Sequence, residues 1–233
     1  MKKLFVTLMA LVVATGAFSQ LNYGVKLGGN IANISGVDTH LGVLDHDYGD
    51  ASKITTTQAM KLGANVGIWA EYKLMPLFGV QMEVNFSMQG VNANSTWSTN
   101  TLLGSASANT DYTWSTNYIT MPILAKAHFA NLAAYVGPQI GFAMGMTQKE
   151  SSTNSLTPDK VEVSESALEN YNSVDFSLVM GAQYKLTPNL GIDARYNLGL
   201  SNLFPAVTSE DGEVLSEAWG KQSVIQVGVF YEF

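Results

Sequence analysis

The chain of 233 residues contains no cysteine, which excludes disulfides and thiolate metal sites, and it is long enough to fold without such cross-links. Charged residues make up only 13% of it and the formal net charge is −7. This argues against nucleic acid as a partner, because proteins bind nucleic acid through basic patches. The pattern of apolar residues is therefore the main guide to fold and function.

The N-terminal residues have the features of a secretory signal peptide. Two lysines precede a largely apolar run at 4–14, and the sequence AFS at 17–19 offers a small-x-small cleavage site before Gln20. The alternative is an N-terminal membrane anchor, for which the apolar run is short. We therefore predict an exported protein with a signal peptide at 1–19 and a single domain at 20–233.

Eight segments of the remaining chain alternate between apolar and polar residues. In one of them, Phe78, Val80 and Met82 alternate with Gln81 and Glu83. Strict alternation over many residues is the strand signal, and helical spacing would not generate it. Each segment is long enough for a tilted strand of roughly 9–11 residues to cross a bilayer. The predicted strands span residues 23–34, 61–74, 78–88, 119–129, 134–144, 175–185, 190–200 and 223–233.

The connections between these strands alternate between short and long. Tight turns with Pro or Asn lie at 75–77, 130–132 and 187–189. Short turns on one side and long loops on the other are typical of an outer-membrane barrel, with both chain ends on the periplasmic side. We predict an all-β fold, an eight-stranded antiparallel up-and-down transmembrane β-barrel. The predicted outer loops are the polar segments near 35–60, 89–117, 146–173 and 201–222.

The two faces of the strands separate this prediction from a soluble lipocalin-like barrel, whose apolar face would point inward around a ligand. The polar face here is small, rich in glycine and mixed in charge, which suits a narrow lumen better than a solvated exterior. Aromatic residues also crowd at the periplasmic strand ends, where an interfacial girdle lies. These residues are Tyr23, Tyr72, Phe78, Phe129, Tyr184, Tyr231 and Phe233.

Charged residues of the polar face are predicted to point into the lumen. One interpretation makes them a conduction path, and the other makes them an ion-pair network that fills the barrel. An eight-stranded barrel has an interior just wide enough for side chains, and buried charges must pair, so the sequence favours the filled barrel. The residues are Lys26, Glu71, Lys73, Glu83, Lys126, His128, Asp175, Lys185, Asp193, Arg195 and Glu232.

Several motifs resemble the PorT-like outer-membrane β-barrel family. They are YGVKLGGN at 23–30, NYITMPIL at 117–124, YVGPQIG at 135–141, GAQYKL at 181–186 and DARYNLGL at 193–200, spread over nearly the whole mature chain. The resemblance implies an eight-stranded barrel of the outer membrane, often labelled a porin-family protein. PorT itself is associated with a protein-secretion and gliding apparatus, a role that barrel strands alone do not transfer, because the loops decide it.

The sequence predicts no catalytic, cofactor-binding or metal site. His128 lies near the turn at 130–132, on the periplasmic side, where a hydrogen-bonding role in the lumen is expected. His40 and His46 lie in the first outer loop near Asp38, Asp45 and Ser35, but no supporting constellation fixes a base–nucleophile pair. The acidic segment at 45–50 lacks the ligand order of an EF-hand.

The expected function is that of a non-catalytic surface, scaffold or transport-associated barrel. A passive small-solute porin is the main alternative, and an outer-membrane lipid-modifying enzyme or protease is a remote one. Expected partners are outer-membrane lipid and lipopolysaccharide, and the barrel-assembly machinery through the C-terminal strand and Phe233. Protein partners are expected at the loops or the periplasmic rim. Loop two, with Tyr112, Trp97 and Trp114, is a candidate binding surface or strand extension.

Overall fold

A computed structural model describes residues 20–37, 52–101, 104–154, 161–166, 171–208 and 214–233. No helix in these ranges is long and apolar enough to cross a membrane. The predicted signal peptide at 1–19 lies outside the described residues. The strands are β1 (Leu21–Ile34), β2 (Ser52–Met75), β3 (Phe78–Thr101), β4 (Gly104–Phe129), β5 (Leu132–Asn154), β6 (Val161–Ser166), β7 (Val174–Lys185), β8 (Leu190–Gly199), β9 (Val207–Thr208), β10 (Val214–Ser216) and β11 (Gln222–Glu232).

Eight of these strands form a closed antiparallel ring, as the sequence predicted. Each pairs with its neighbours in the order β4-β3-β2-β1-β11-β8-β7-β5, and a β4–β5 pairing closes the ring. β11 pairs with β1 from Gly24↔Glu232 to Ile34↔Gln222, so the first and the last strand of the chain are neighbours in the ring and pair along most of their length. β6 pairs with the outer part of β5, and β9 and β10 form a separate small hairpin.

The burial pattern is inverted relative to a soluble protein. Along β8 every second residue is buried, and the buried positions include Asp193, Arg195 and Asn197. The positions between them, such as Ile192 and Tyr196, are exposed, and every strand of the ring has exposed large apolar residues of this kind. An apolar outside around a polar inside is what a barrel in hydrocarbon requires, and it excludes the lipocalin-like alternative. All seven residues of the predicted aromatic girdle are exposed.

The periplasmic turns lie where the sequence placed them. β2 ends at Met75 and β3 begins at Phe78, and the other two connections are similarly short. In the turn after β4, Ala130 adopts a left-handed φ of 56°, which is uncommon for a residue with a Cβ atom. In the same turn, Asn131 O accepts a hydrogen bond from Lys185 N on β7 at 2.8 Å, so the neighbouring strand helps to hold the turn in place.

The outer side differs from the prediction, because all four predicted loops contain strand, the fourth only as the small β9–β10 hairpin. β3 and β4 pair without a break in the predicted loop 89–117, from Gln89↔Thr116 to Thr101↔Gly104. β2 extends back to Ser52, and β5 continues to Asn154 with β6 beside it. These segments are rich in Ser, Thr and Asn, so they lack the apolar face by which the membrane-spanning strands were recognised. The prediction of loops there was wrong, and the strand-extension interpretation of loop two is confirmed.

The ring consequently has a tall wall and a short wall. β2, β3, β4 and β5 have 23 to 26 residues each, whereas β7, β8 and β11 have 10 to 12. The pairing of β2 with β1 ends at Ala32↔Lys61, so the part of β2 before Lys61 rises above its shorter neighbour. The four tall strands are contiguous in the ring, as are the four shorter ones.

Candidate functional site

A charge cluster centred on Arg195 crosses the middle of the lumen. Its guanidinium binds both carboxylate oxygens of Glu83, at 2.8 Å from Nη1 and 2.9 Å from Nη2, and its Nε donates to Asp193 Oδ1 at 2.9 Å. Lys26 Nζ adds a second cation at 2.8 Å from Glu83 Oε2, and the Tyr135 hydroxyl donates to Asp193 Oδ2 at 2.7 Å. The bidentate pairing fixes the orientation as well as the distance of the two groups.

The position of this cluster in the ring matters for access along the axis. Glu83 lies on β3 and Arg195 lies on β8, four steps apart in a ring of eight strands. Their bidentate contact therefore joins opposite walls of the barrel. Both side chains are buried, and two cations face two carboxylates, so the cluster is balanced in charge.

A second cluster lies nearer the periplasmic end. Lys126 Nζ contacts Glu71 Oε2 at 2.8 Å, Gln81 Oε1 at 2.8 Å and Gln183 Oε1 at 2.5 Å, which uses all three of its donors. His128 Nε2 contacts the other oxygen of Glu71, and its imidazole is only partly buried. His128 therefore takes part in the hydrogen-bond network of the lumen, which agrees with the sequence interpretation.

Most of the charges predicted for the lumen form the ion-pair network that the sequence favoured, whereas Lys73 is only half-buried on β2. Lys185 and Glu232 pair with each other at 2.7 Å at the periplasmic rim, where both are partly exposed. One carboxylate differs from the rest: the described hydrogen-bond partner of Asp175 is the hydroxyl of Ser201, at 2.7 Å. The buried members of the predicted set are Lys26, Glu71, Glu83, Lys126, Asp175, Asp193 and Arg195.

Above these polar layers an apolar cluster fills the outer part of the barrel, and we call it the aromatic cap. Trp219 stacks on Phe204 at 4.2 Å between ring centroids, and Phe204 meets Tyr171 edge to face at 5.4 Å. The cap consists of buried Ile34, Val37, Val91, Ala93, Trp114, Tyr118, Met146, Tyr171 and Leu203, with partly buried Tyr112, Ala143, Phe204 and Trp219 packed against them.

Hydrogen bonds tie the short-wall side of the cap together. Tyr118 on β4 and Tyr171, just before β7, are joined through their hydroxyl groups. Burial raises the pKa of the Tyr171 phenol above its ordinary value, so the group stays protonated and able to donate. The backbone amide of Leu203 donates to Gly220 O at 2.8 Å, and that of Asn172 donates to Leu203 O at 2.7 Å.

Sequence reasoning missed the aromatic cap. Tyr171, Leu203 and Trp219 lay in segments predicted as polar outer loops, and nothing local marks them as buried. The loop-two residues Tyr112 and Trp114 stack at 5.8 Å with an interplanar angle of 11°, and they belong to the cap region. Concentration of aromatic residues within otherwise polar segments was the available signal, and it was interpreted as a binding surface.

The described residues contain no group of three or more His, Cys, Asp or Glu side chains placed to hold a metal ion. His40, His46, Asp38 and the acidic segment at 45–50 lie outside the described residues, so the hypotheses built on them remain predictions.

Comparison with protein families decides the class. The model of the outer membrane protein beta-barrel domain matches residues 15–205. The chain belongs to this family. The family implies location in the outer membrane, in agreement with the sequence prediction.

Several solved outer-membrane proteins are similar to this chain at low sequence identity. The attachment invasion locus protein Ail of Yersinia pestis is 13% identical with a TM-score of 0.41, over 91% of this chain and 98% of that one. Neisserial surface protein A is 11% identical with a TM-score of 0.39, over 92% and 97%. OprG from Pseudomonas aeruginosa is 12% identical with a TM-score of 0.33, over 91% and 94%. No curated protein sequence matches the chain.

Proposed function

We propose that this outer-membrane barrel is a non-catalytic surface or scaffold component, closed along its axis, that engages partners through its outer extension or its periplasmic rim. A transport-associated role of the PorT-like kind, in which the barrel serves a protein-secretion apparatus, is the finer form of the proposal. It rests on the motif resemblance alone.

The observation that carries the proposal is the Arg195–Glu83 contact between opposite walls. A solute moving along the axis would have to separate a buried bidentate ion pair, which also holds Asp193 and Lys26. Separating such a pair leaves charges without partners in a low-dielectric interior, which costs several kcal/mol. The aromatic cap adds an apolar barrier above it. A barrel built in this way supports function outside the lumen rather than passage through it.

Single-channel recording of the refolded mature protein in a planar bilayer tests the proposal, after a heat-modifiable band on a gel has shown that the barrel is folded. We expect no steady conductance. The double variant Glu83→Ala/Arg195→Ala removes the contact between the walls without leaving either charge, and it tests whether the cap above the cluster closes the barrel by itself. Reproducible ohmic steps from the unaltered protein would instead support the passive small-solute porin.

We also propose that the C-terminal strand directs assembly. Phe233 N donates to Tyr23 O at 3.0 Å, and the exposed Phe233 ring lies 5.7 Å from that of Tyr23 and 5.4 Å from that of Tyr231. This aromatic group at the closing seam is accessible to the assembly machinery from the membrane side. We expect Phe233→Ala to lower the amount of barrel in the outer membrane severalfold, and Phe233→Tyr to preserve it. Normal amounts of Phe233→Ala would contradict this role.

A further inference from the structure

An apolar groove crosses the membrane-facing surface of β1, β2, β3, β4 and β5, and we call it the first groove. Its volume is about 640 Å³, and the residues that line it include Tyr23, Ala70, Met82, Ile123 and Ile140. Tyr23, Met82 and Ile123 are exposed, so the first groove opens outward to the membrane. Its volume lies within the roughly 300–1,000 Å³ that is typical of sites for one small molecule.

The first groove follows a row of paired residues on the outer face. Tyr23 pairs with Ala70, and Ala70 pairs with Met82, so a single methyl group lies between two large exposed side chains. The β3–β4 ladder pairs Met82↔Ile123 but not the next two positions, where Pro122 has no N–H to donate. A small outward side chain and a break in the ladder therefore coincide in the same part of the wall.

A second groove of about 600 Å³ lies beside the first, on its periplasmic side, and its lining residues include Leu74, Phe78, Val80, Ala125, Ala134 and Val136. Val80 pairs with Ala125 in this second groove. Met82 and Ile123, which pair in the first groove, are the next outward-facing positions on the same two strands. Successive rows on one face of a sheet are two residues, or roughly 7 Å, apart. The two grooves therefore run side by side.

Both grooves begin at the periplasmic boundary of the membrane. The first begins at Phe233 and Tyr23 of the aromatic girdle, and the second begins at Leu74 and Phe78, on either side of the β2–β3 turn. The first ends at Ile140, well above the periplasmic start of β5 at residue 132. From β1 to β5 it crosses four strand spacings, roughly 19 Å. One leaflet contributes about half of the roughly 30 Å hydrocarbon core, so this length suits one acyl chain of the periplasmic leaflet.

Neither groove presents a free charge to its occupant. Glu83 lines the first groove and Lys126 lines the second, but their charged groups bind inside the lumen. The carboxylate of Glu83 pairs with Arg195, and the ammonium group of Lys126 pairs with Glu71. The occupant that these surfaces favour is therefore apolar along the length of both grooves.

We propose that the two grooves together bind one diacyl phospholipid of the periplasmic leaflet, with one acyl chain in each groove and the headgroup at the periplasmic boundary. A phospholipid carries two chains that leave one headgroup side by side, which matches two adjacent grooves that begin at the same boundary. A lipid with a single chain would fill only one of them. Lipid A belongs to the opposite leaflet, so its chains would enter from the wrong end.

Native mass spectrometry of the refolded full-length mature barrel tests the site, with phosphatidylethanolamine added to the detergent micelles. We expect one phospholipid to be retained per barrel and binding to saturate at that ratio. Ala70→Leu fills part of the first groove and Ala125→Leu fills part of the second. Each should weaken binding by about tenfold, because about two methylene groups of the lipid lose their contacts. The single-chain lysophospholipid should bind more weakly still, and lipid A should not compete.

A matched control and a second readout separate this site from general contact with lipid. Ala64→Leu enlarges an exposed alanine of β2 that lines neither groove, so it should bind the phospholipid as the unaltered protein does. Trp69 lines the first groove, whereas Trp97 lies in the outer part of β3 and Trp114 and Trp219 belong to the aromatic cap. Phosphatidylethanolamine brominated in its acyl chains should quench the fluorescence of the unaltered protein, and Trp69→Phe should remove most of that quenching.

Several outcomes would overturn the proposal. They are the absence of retained phospholipid, equal binding of the lysophospholipid, and a loss in Ala64→Leu as large as that in Ala70→Leu. Barrel dimers that exclude the lipid would assign the grooves to a second copy of the chain. If a leucine variant gives no heat-modifiable band, quenching of the unaltered protein decides the outcome: saturation at one lipid per barrel supports the site, and quenching that does not saturate contradicts it.

Discussion

The Arg195 cluster and the aromatic cap fill neighbouring parts of one barrel interior with opposite chemistry. The cluster joins strands across the lumen through a few directional charge-assisted hydrogen bonds, while the cap packs many apolar side chains without a single ion pair among its members. Loss of one partner leaves the cluster with a buried uncompensated charge, whereas loss of one side chain leaves the cap with a cavity. The two layers should therefore respond differently to substitution, although both close the same space.

The largest expected effect is in the cluster. Arg195→Met removes the partner of both Glu83 and Asp193 and leaves two buried carboxylates for the single cation Lys26. We expect the free energy of unfolding to fall by about 3–5 kcal/mol. Urea unfolding of the barrel in lipid vesicles measures it. Arg195→Lys keeps the charge but not the bidentate geometry, so its free energy of unfolding should lie between those of the unaltered protein and Arg195→Met. A loss below about 1 kcal/mol in Arg195→Met would remove the distinction between the two layers.

In the cap, Leu203→Ala should cost about 2–5 kcal/mol through lost burial and a residual cavity. Leu203 lies in the segment between β8 and β9, is fully buried and belongs to the aromatic cap. The same urea experiment measures the loss, and bilayer recording should show no conductance, because the cluster below stays paired. Steady currents in Leu203→Ala would indicate that the cap, rather than the cluster, seals the barrel.

A smaller effect is expected from the polar contact inside the cap. Tyr118→Phe removes the bond between the Tyr118 and Tyr171 hydroxyls and should cost about 1–2 kcal/mol. Tyr118→Phe combined with Tyr171→Phe should cost less than the sum of the single changes, because each single change already removes the bond that the two hydroxyls share. A double-mutant cycle of unfolding free energies measures the coupling. Additive single effects would show that the two hydroxyls act independently.

The smallest effect is expected at the periplasmic rim. Lys185 and Glu232 form an ion pair as short as those of the cluster, but their side chains are 33% and 16% exposed. Solvent screens such a pair, so Lys185→Gln should change the free energy of unfolding by less than about 1 kcal/mol. Measurement at low and high salt should show the remaining difference shrinking. A loss comparable to that of Arg195→Met would mean that exposure does not separate the two kinds of pair.

The membrane-spanning architecture was predictable because hydrocarbon imposes a period of two on each strand. Alternation in segments such as 78–88 placed Glu83 on the inside and Met82 on the outside, and the structure confirms both positions. The same alternation put Asp193 and Arg195 in the lumen. Their partners were not predictable, since Arg195 and Glu83 are 112 residues apart and meet only when ring closure and stagger fix the register.

Outside the bilayer, a period of two in apolar residues no longer identifies the strands. Segments such as 92–101, with the sequence NANSTWSTNT, have polar residues on both faces, and nothing in their pattern distinguishes strand from loop. They are strands because the hydrogen-bonded ladder of β3 and β4 continues upward from the membrane. The aromatic cap includes Tyr171, Leu203 and Trp219, which are far apart in sequence and come together only in the folded barrel.

The unequal height of the two walls has a consequence for the direction from which the barrel is approached. β2 continues for nine residues, 52–60, beyond its last pairing with β1 at Lys61, or roughly 30 Å of extended chain. The rim formed by the described strands is therefore slanted, and β2, β3, β4 and β5 extend further outward than the four shorter strands. A molecule diffusing in the plane of the membrane meets a different face of the protein on each side. Any neighbour that bound this rim would meet it in one preferred orientation, because rotation about the membrane normal changes what the neighbour touches.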